Sequence, residues 1–161
     1  MPKRSAGILP VRRGPEGLQV LLVHPGGPFF RSKDDGSWSV AKGLLEPGDE
    51  DELAAARREL REETGFEPPG GPYVPLGEVR QKSGKRVVAW AVVADFDPAA
   101  LESNRFELEW PPRSGRTQSF PEVDRAAWFD PDTARRKVLA AQAPFLDRLA
   151  ERAGELFGDD A

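Results

Sequence analysis

Glu59, Glu62 and Glu63 stand at i, i+3 and i+4 inside a helix-forming run, so three carboxylates must share one helical face. Like charges at that spacing cost a helix roughly 0.2–0.5 kcal/mol per pair unless a cation lies among them. Crowded hard oxygen ligands suit Mg2+ or Mn2+, ions that keep several waters and take further ligands from substrate phosphates. The face therefore predicts a divalent-metal platform. Asp49 and Glu52 have the spacing of a capping box, with Asp in place of Ser or Thr, and Gly65 supplies a stop, which sets the helix at residues 50–64. Leu53, Ala56 and Leu60 fall on a stripe beside the glutamates and should pack on a core. An ordinary solvated helix would account for the charge. It would not account for like charges stacked at these spacings with a stop glycine directly behind them.

The rest of the chain limits what such a helix can belong to. With 161 residues, 39% of them hydrophobic and 31% charged, we expect one domain over residues 1–157 and a short flexible tail at 158–161. The lack of cysteine excludes disulfides, thiolate metal sites and a thiol nucleophile, and makes the cytoplasm the expected compartment. No run approaches the ~20 apolar residues of a membrane span. Met1-Pro2-Lys3-Arg4 leads into a strand too short and too polar for a signal peptide. A net charge of −4 opposes broad binding to long nucleic acid, whereas a small phosphorylated ligand needs only a local basic cluster. Lys42 is the first candidate for substrate contact. Arg31 with Lys33, the stretch from Arg80 through Lys82 to Arg86, and Arg113 with Arg116 follow it. No membrane partner is expected, and a homodimer is compatible with the composition.

Strands are expected near residues 4–12, 18–24, around Trp38, 73–80 and 86–96, the last two joined as a hairpin at Ser83-Gly84. Phe106 to Trp110 alternates like a strand, and Pro111 to Gly115 reads as an exposed loop. A strand at 125–129 precedes a helix opened by Asp130-Pro131 and running to about residue 140. A last helix starts at Pro144 and turns Phe145, Leu146, Leu149 and Ala153 inward. Strands flanked by helices on both faces give an α/β sandwich. Trp38, Trp90 and Trp128 fall in apolar strand patterns and read as core; Trp110 stands apart, and with Phe29 or Phe30 could stack on a nucleobase or simply anchor the surface. The lone His24 reads as structural.

The segment Gly43 to Phe66 resembles the signature of the Nudix hydrolase family: Gly, five residues, Glu, seven residues, then Arg-Glu-hydrophobic-x-Glu-Glu-x-Gly-hydrophobic. Arg58-Glu59-Leu60-Arg61-Glu62-Glu63-Thr64-Gly65-Phe66 matches the second half in full. In the first half Gly43 plus six residues lands on Asp49, and the glutamate eight before Arg58 is Glu50, so the chain carries one extra residue near the helix start. Trp38-Ser39-Val40-Ala41-Lys42-Gly43 resembles the family's Trp-x-x-Pro-Lys-Gly lead-in, with Ala41 in place of Pro.

The resemblance implies a Nudix-like α/β/α sandwich with a mixed sheet, and hydrolysis of a nucleoside diphosphate linked to some other moiety. It implies Mg2+ (or Mn2+) on Glu59, Glu63 and the Gly43 carbonyl, with Glu62 a further ligand, and Arg58 orienting a glutamate. The water-activating base would be Glu62 or a carboxylate from a later loop. Glu122, six residues before Trp128, resembles the Glu-to-Trp element of diadenosine tetraphosphate hydrolases and is the first choice, with Glu107 and Glu109 as alternatives. A dinucleoside polyphosphate is the first-choice substrate, ahead of nucleotide sugars, oxidised nucleoside triphosphates and capped RNA ends. Selectivity would come from loops 25–37, 80–86 and 104–121. A nucleotide-sensing module without turnover, and an interaction protein whose acidic helix meets a basic partner, are the readings from other classes.

Overall fold

A computed structural model of the chain describes residues 4–157, so the expected tail at 158–161 lies outside the described residues. Two long apolar runs, β1 (Arg4–Gly14) and β2 (Gly17–Pro25), pair antiparallel at the centre of a six-stranded sheet. β1 also pairs antiparallel with the short β3 (Ala41–Leu44) and parallel with β5 (Arg86–Val93), which makes the sheet mixed. β4 (Val74–Arg80) and β8 (Val123–Phe129) complete the order β4-β5-β1-β2-β8. The turn closing β4 onto β5 places Gly84 at φ 92°, a left-handed conformation that favours glycine, as the Ser83-Gly84 pair predicts.

Alternation along the central strands sends each residue to one of two cores. Ile8, Leu21 and Val23 face α1 (Glu52–Thr64), which covers them with Ala55, Ala56 and Leu60. Leu9, Val11, Val20 and Leu22 face the opposite way. They are covered by α2 (Pro131–Lys137) through Ala134 and by α3 (Ala143–Phe157) through Phe145, Leu146 and Leu149. Each of these large apolar side chains, once fully buried, contributes roughly 1.5–3 kcal/mol. The result is the expected α/β/α sandwich. Trp38 is buried, and Trp90 and Trp128 pack against the core on the α1 side.

Several boundaries differ from expectation, each for a local reason. The N-cap of α1 is Asp51, whose carboxylate accepts from Ala54 N at 2.8 Å, and not Asp49. Asp49 is held instead by Arg58 and by the backbone of Glu46. At the other end Gly65 caps as expected, at φ 75° with its N–H donating to Arg61 O. Around Trp38 there is no strand but two isolated bridges, Val23 to Ser39 and Trp38 to Val138; the regular strand begins later, at Ala41. The bridge to Trp38 holds Val138 extended and ends α2 at Lys137, short of residue 140. Residues 105–121 form a separate hairpin of β6 (Arg105–Glu109) and β7 (Thr117–Pro121). β7 escapes a reading by hydrophobic pattern because its residues are mostly exposed. Among the described residues no helix is long and apolar enough to cross a membrane.

Candidate active site

The strongest positional device in the site is a missing side chain. A Cβ on Gly43 would lie 2.0 Å from both Cδ and Oε2 of Glu59, so the Glu59 carboxylate rests directly on the β3 backbone. One helical turn further on, Glu63 Oε2 accepts from Lys42 N at 3.1 Å. Two carboxylates from α1 therefore bracket the Lys42-Gly43 peptide. Both are driven above the ordinary carboxylate range, first by burial; Glu63 is pushed up to about 8, against the opposing pull of Lys42. Lys42 is in turn pushed down to about 8, first by burial and then by the neighbouring ammonium of Lys85.

Arg58 organises the other side of the helix. Its guanidinium donates to Asp49 through two nitrogens, at 2.9 and 3.0 Å, and to Glu59 at 2.8 Å, Glu62 at 3.0 Å and the Leu44 carbonyl at 3.0 Å. This double-pronged pairing holds Asp49 below the usual carboxylate range. The three glutamates share the helix but have different partners: Glu59 and Glu62 meet Arg58, and Glu63 meets the Lys42 backbone. Glu62 and Glu63 project about 100° apart around the helix axis, one on each side of Glu59. Glu62 is consequently 44% exposed on Arg58, while Glu63 enters the fold.

Beyond Glu63 opens a cavity of about 240 Å3. Lys42, Glu63 and Glu122 supply its charge, Ser37 and Ser39 its hydroxyls, and Phe30 its aromatic wall. Glu122 is the single residue between β7 and β8; its N–H bonds to Asn104 O and its carbonyl receives Gly26 N, both at 2.9 Å. It is close enough to Glu63 to push that carboxyl's pKa upward. Of the sequence candidates, the cavity collects Lys42, Glu63, Glu122 and Phe30. Glu59 and Gly43 adjoin it through the helix–strand contact. Arg31, Trp110, Glu107 and Glu109 are not among its lining residues. Trp110 instead meets Phe29 edge-on, with ring centroids 5.4 Å apart. Lys82 borders a neighbouring depression. His24 is fully buried, with Nδ1 2.7 Å from Asp124 Oδ1 and Nε2 2.7 Å from Lys33 O, a structural placement. Sequence reasoning did not single out Ser37 or Ser39, since an isolated serine carries no periodic signal; Lys85 lies in the basic stretch from Arg80 to Arg86.

The donor set can be tested against a divalent cation. Among the described residues no three acidic or histidine side chains form a closed cage. Mg2+ does not require one, because it keeps waters and takes only one or two carboxylates beside substrate phosphates. A buried carboxylate, Glu59, seated on a glycine that leaves it room, and the part-buried Glu63 provide an all-oxygen set that fits Mg2+ or Mn2+.

The fold and the cavity place the chain in the Nudix class of α/β domains. The family model for the NUDIX domain matches residues 1–149, and the chain belongs to the Nudix family, whose enzymes generally use divalent metals. An octanoyltransferase of Myxococcus xanthus is 34% identical over 138 residues, 85% of this chain and 33% of that protein. The chain thus spans a third of the length of the curated relative it matches. Among solved structures, the NUDIX domain of Shewanella oneidensis NrtR complexed with ADP ribose has a TM-score of 0.65 at 18% identity, covering 95% of this chain and 89% of that one. A Caenorhabditis elegans Ap4A hydrolase binary complex has a TM-score of 0.65 at 19% identity, covering 94% and 99%. Likeness at these identities concerns the fold.

Proposed function

We propose that this protein hydrolyses the pyrophosphate linkage of a nucleoside diphosphate derivative with the help of Mg2+ or Mn2+, and that a dinucleoside polyphosphate is its first-choice substrate. The observation that carries this reading is the convergence of Lys42, Glu63 and Glu122 on one cavity beside the Glu59–Gly43 contact. Glu59, Glu63 and the Gly43 carbonyl would hold the ion. When bound, the ion supplies Lewis-acid polarisation of a phosphoryl oxygen. Lys42 neutralises substrate charge at the cavity wall. Glu122 takes the proton of the attacking water, a role that Glu62 fits less well because it is engaged with Arg58 at the surface. Arg58 acts indirectly, fixing Glu59 from one side while Asp49 fixes Arg58 from the other. The fold likeness to an Ap4A hydrolase supports the dinucleoside choice, and the ADP ribose bound to the NrtR domain makes a nucleotide sugar the second reading.

The test is a substrate screen in Mg2+ that measures products released from diadenosine tetraphosphate, ADP-ribose and nucleoside triphosphates. Hydrolysis abolished by EDTA, with the highest kcat/KM on the dinucleoside compound, is expected. Full activity after chelation would overturn the metal role. Ligand binding without turnover would identify a sensing module instead. Glu122→Gln should lower kcat by about 10²–10⁴-fold, the usual contribution of a general base.

A further inference from the structure

We propose that the depression beside the catalytic cavity is a second nucleoside subsite, with Gln81 and Lys82 as specificity-determining contacts; this rests on the dinucleoside polyphosphate reading above. The depression measures about 350 Å3 and is lined by Gln81, Lys82 and Ser83 from the β4–β5 turn, and by Leu139, Ala140 and Ala141 from the link between α2 and α3. Leu139 lines the catalytic cavity as well, so the two spaces are adjacent.

The partition between them is built, not incidental. Gln142 is fully buried, and its Nε2 donates to Ser39 Oγ at 3.0 Å, on the catalytic side, and to Gln81 Oε1 at 3.2 Å, on the other. Its Oε1 accepts from Val40 N at 3.0 Å. One buried amide thereby bolts a wall of each space to the other, and neither can collapse without leaving buried polar atoms unpaired. With Oε1 of Gln81 engaged, both Nε2 hydrogens of that side chain remain for an acceptor; no partner for them exists among the described residues. A nucleobase offers ring-nitrogen and carbonyl acceptors for such an amide and a flat apolar face for Leu139, Ala140 and Ala141.

Charge runs the same way. Lys42 stands in the catalytic cavity, Lys85 brings its ammonium close to Lys42, and Lys82 lies on the same turn as Lys85 at the second depression. A polyphosphate chain leading from the cleaved anhydride to a second nucleoside would follow these cations. A substrate with one nucleoside leaves the second space empty.

Ala140 is exposed, so Ala140→Trp fills the depression without entering the core. Lys82→Glu reverses the charge at the same place. We expect either variant to raise KM for diadenosine tetraphosphate relative to KM for ADP-ribose by roughly tenfold, or ~1.4 kcal/mol. If the unaltered protein cleaves diadenosine tetraphosphate and both variants keep the original KM ratio, the second subsite is overturned while the functional reading stands. If it cleaves no dinucleoside polyphosphate, the functional reading fails first. Should Ala140→Trp fold poorly in a thermal melt, Lys82→Glu alone decides.

Discussion

Gly43→Ala puts a single methyl group where the fold leaves no room for one. The added Cβ would stand 2.0 Å from Cδ and Oε2 of Glu59 and 2.4 Å from its Oε1. Gly43 is not among the positive-φ residues, so alanine brings no backbone strain, and the whole cost falls on the contact. The obstructing atoms are the end of a flexible side chain and can move. Displacing them breaks the 2.8 Å bond from Arg58, a charge-assisted interaction on the order of 1.5–3 kcal/mol. Part of that loss is returned, because burial already disfavours the charged form of Glu59 and displacement lets water reach it. A net destabilisation of about 1–2 kcal/mol follows, which for a domain of this size lowers Tm by about 2–8 °C. The larger effect should be on the cation, since misplacing a ligand or its support typically weakens metal binding about 10–100-fold. Mn2+ binding followed by electron paramagnetic resonance, and thermal unfolding without divalent ions, measure the two effects independently of any substrate. In a Glu59→Ala background the same substitution should cost almost nothing, because the clash has been removed. Unchanged Mn2+ affinity in Gly43→Ala, or an equal stability cost in both backgrounds, would refute the reasoning.

Leu60→Ala should destabilise by about 2–5 kcal/mol, measured by chemical denaturation, because Leu60 is fully buried between α1 and the sheet and leaves a cavity. Asp51→Ala should cost about 0.5–2 kcal/mol through the lost cap without changing Mn2+ affinity. Asp49→Asn should do the reverse and weaken Mn2+ binding by loosening Arg58; equal effects from the two substitutions would show that the capping and clamping roles are wrongly divided. Glu63→Gln should leave unfolding in the absence of metal no more favourable, since it removes a carboxylate whose charge burial opposes, while turnover falls by orders of magnitude. A variant retaining most of its turnover would contradict that placement.

The parts of the fold that were legible in the sequence are those where a local rule and the tertiary structure agree. β1 and β2 read as strands because they are continuous apolar runs buried on both faces. Gly65 read as a stop because only a left-handed residue closes α1 there. β7 was illegible because an exposed hairpin strand bears no apolar alternation, and its partner β6 supplies the order from across the turn. Lys42, Glu63 and Glu122 could be named from their neighbours in sequence. Their convergence depends on how β3, α1 and the β7–β8 junction are placed in the fold, which no local pattern contains. The aromatic pair shows the same limit: Trp110 was legible as unusual, yet the ring it meets is Phe29, while Phe30, the next residue along, lines the cavity.

The extra residue before α1 falls in the turn that Asp49 closes, outside the helix that carries the glutamates. Asp51 takes the cap, so Asp49 lies outside the helix with its carboxylate unspent. Asp49 Oδ2 then accepts from Glu46 N at 2.7 Å, closing a tight turn, while both of its oxygens face Arg58. Arg58 is thereby clamped between the loop and Glu59. Because that turn lies before the first helical residue, the angular relation of Glu59 and Glu63 to Gly43 and Lys42 is set by α1 and β3 alone. Deleting Asp49 would restore the spacing but remove the clamp, so spacing by itself is not what holds the site.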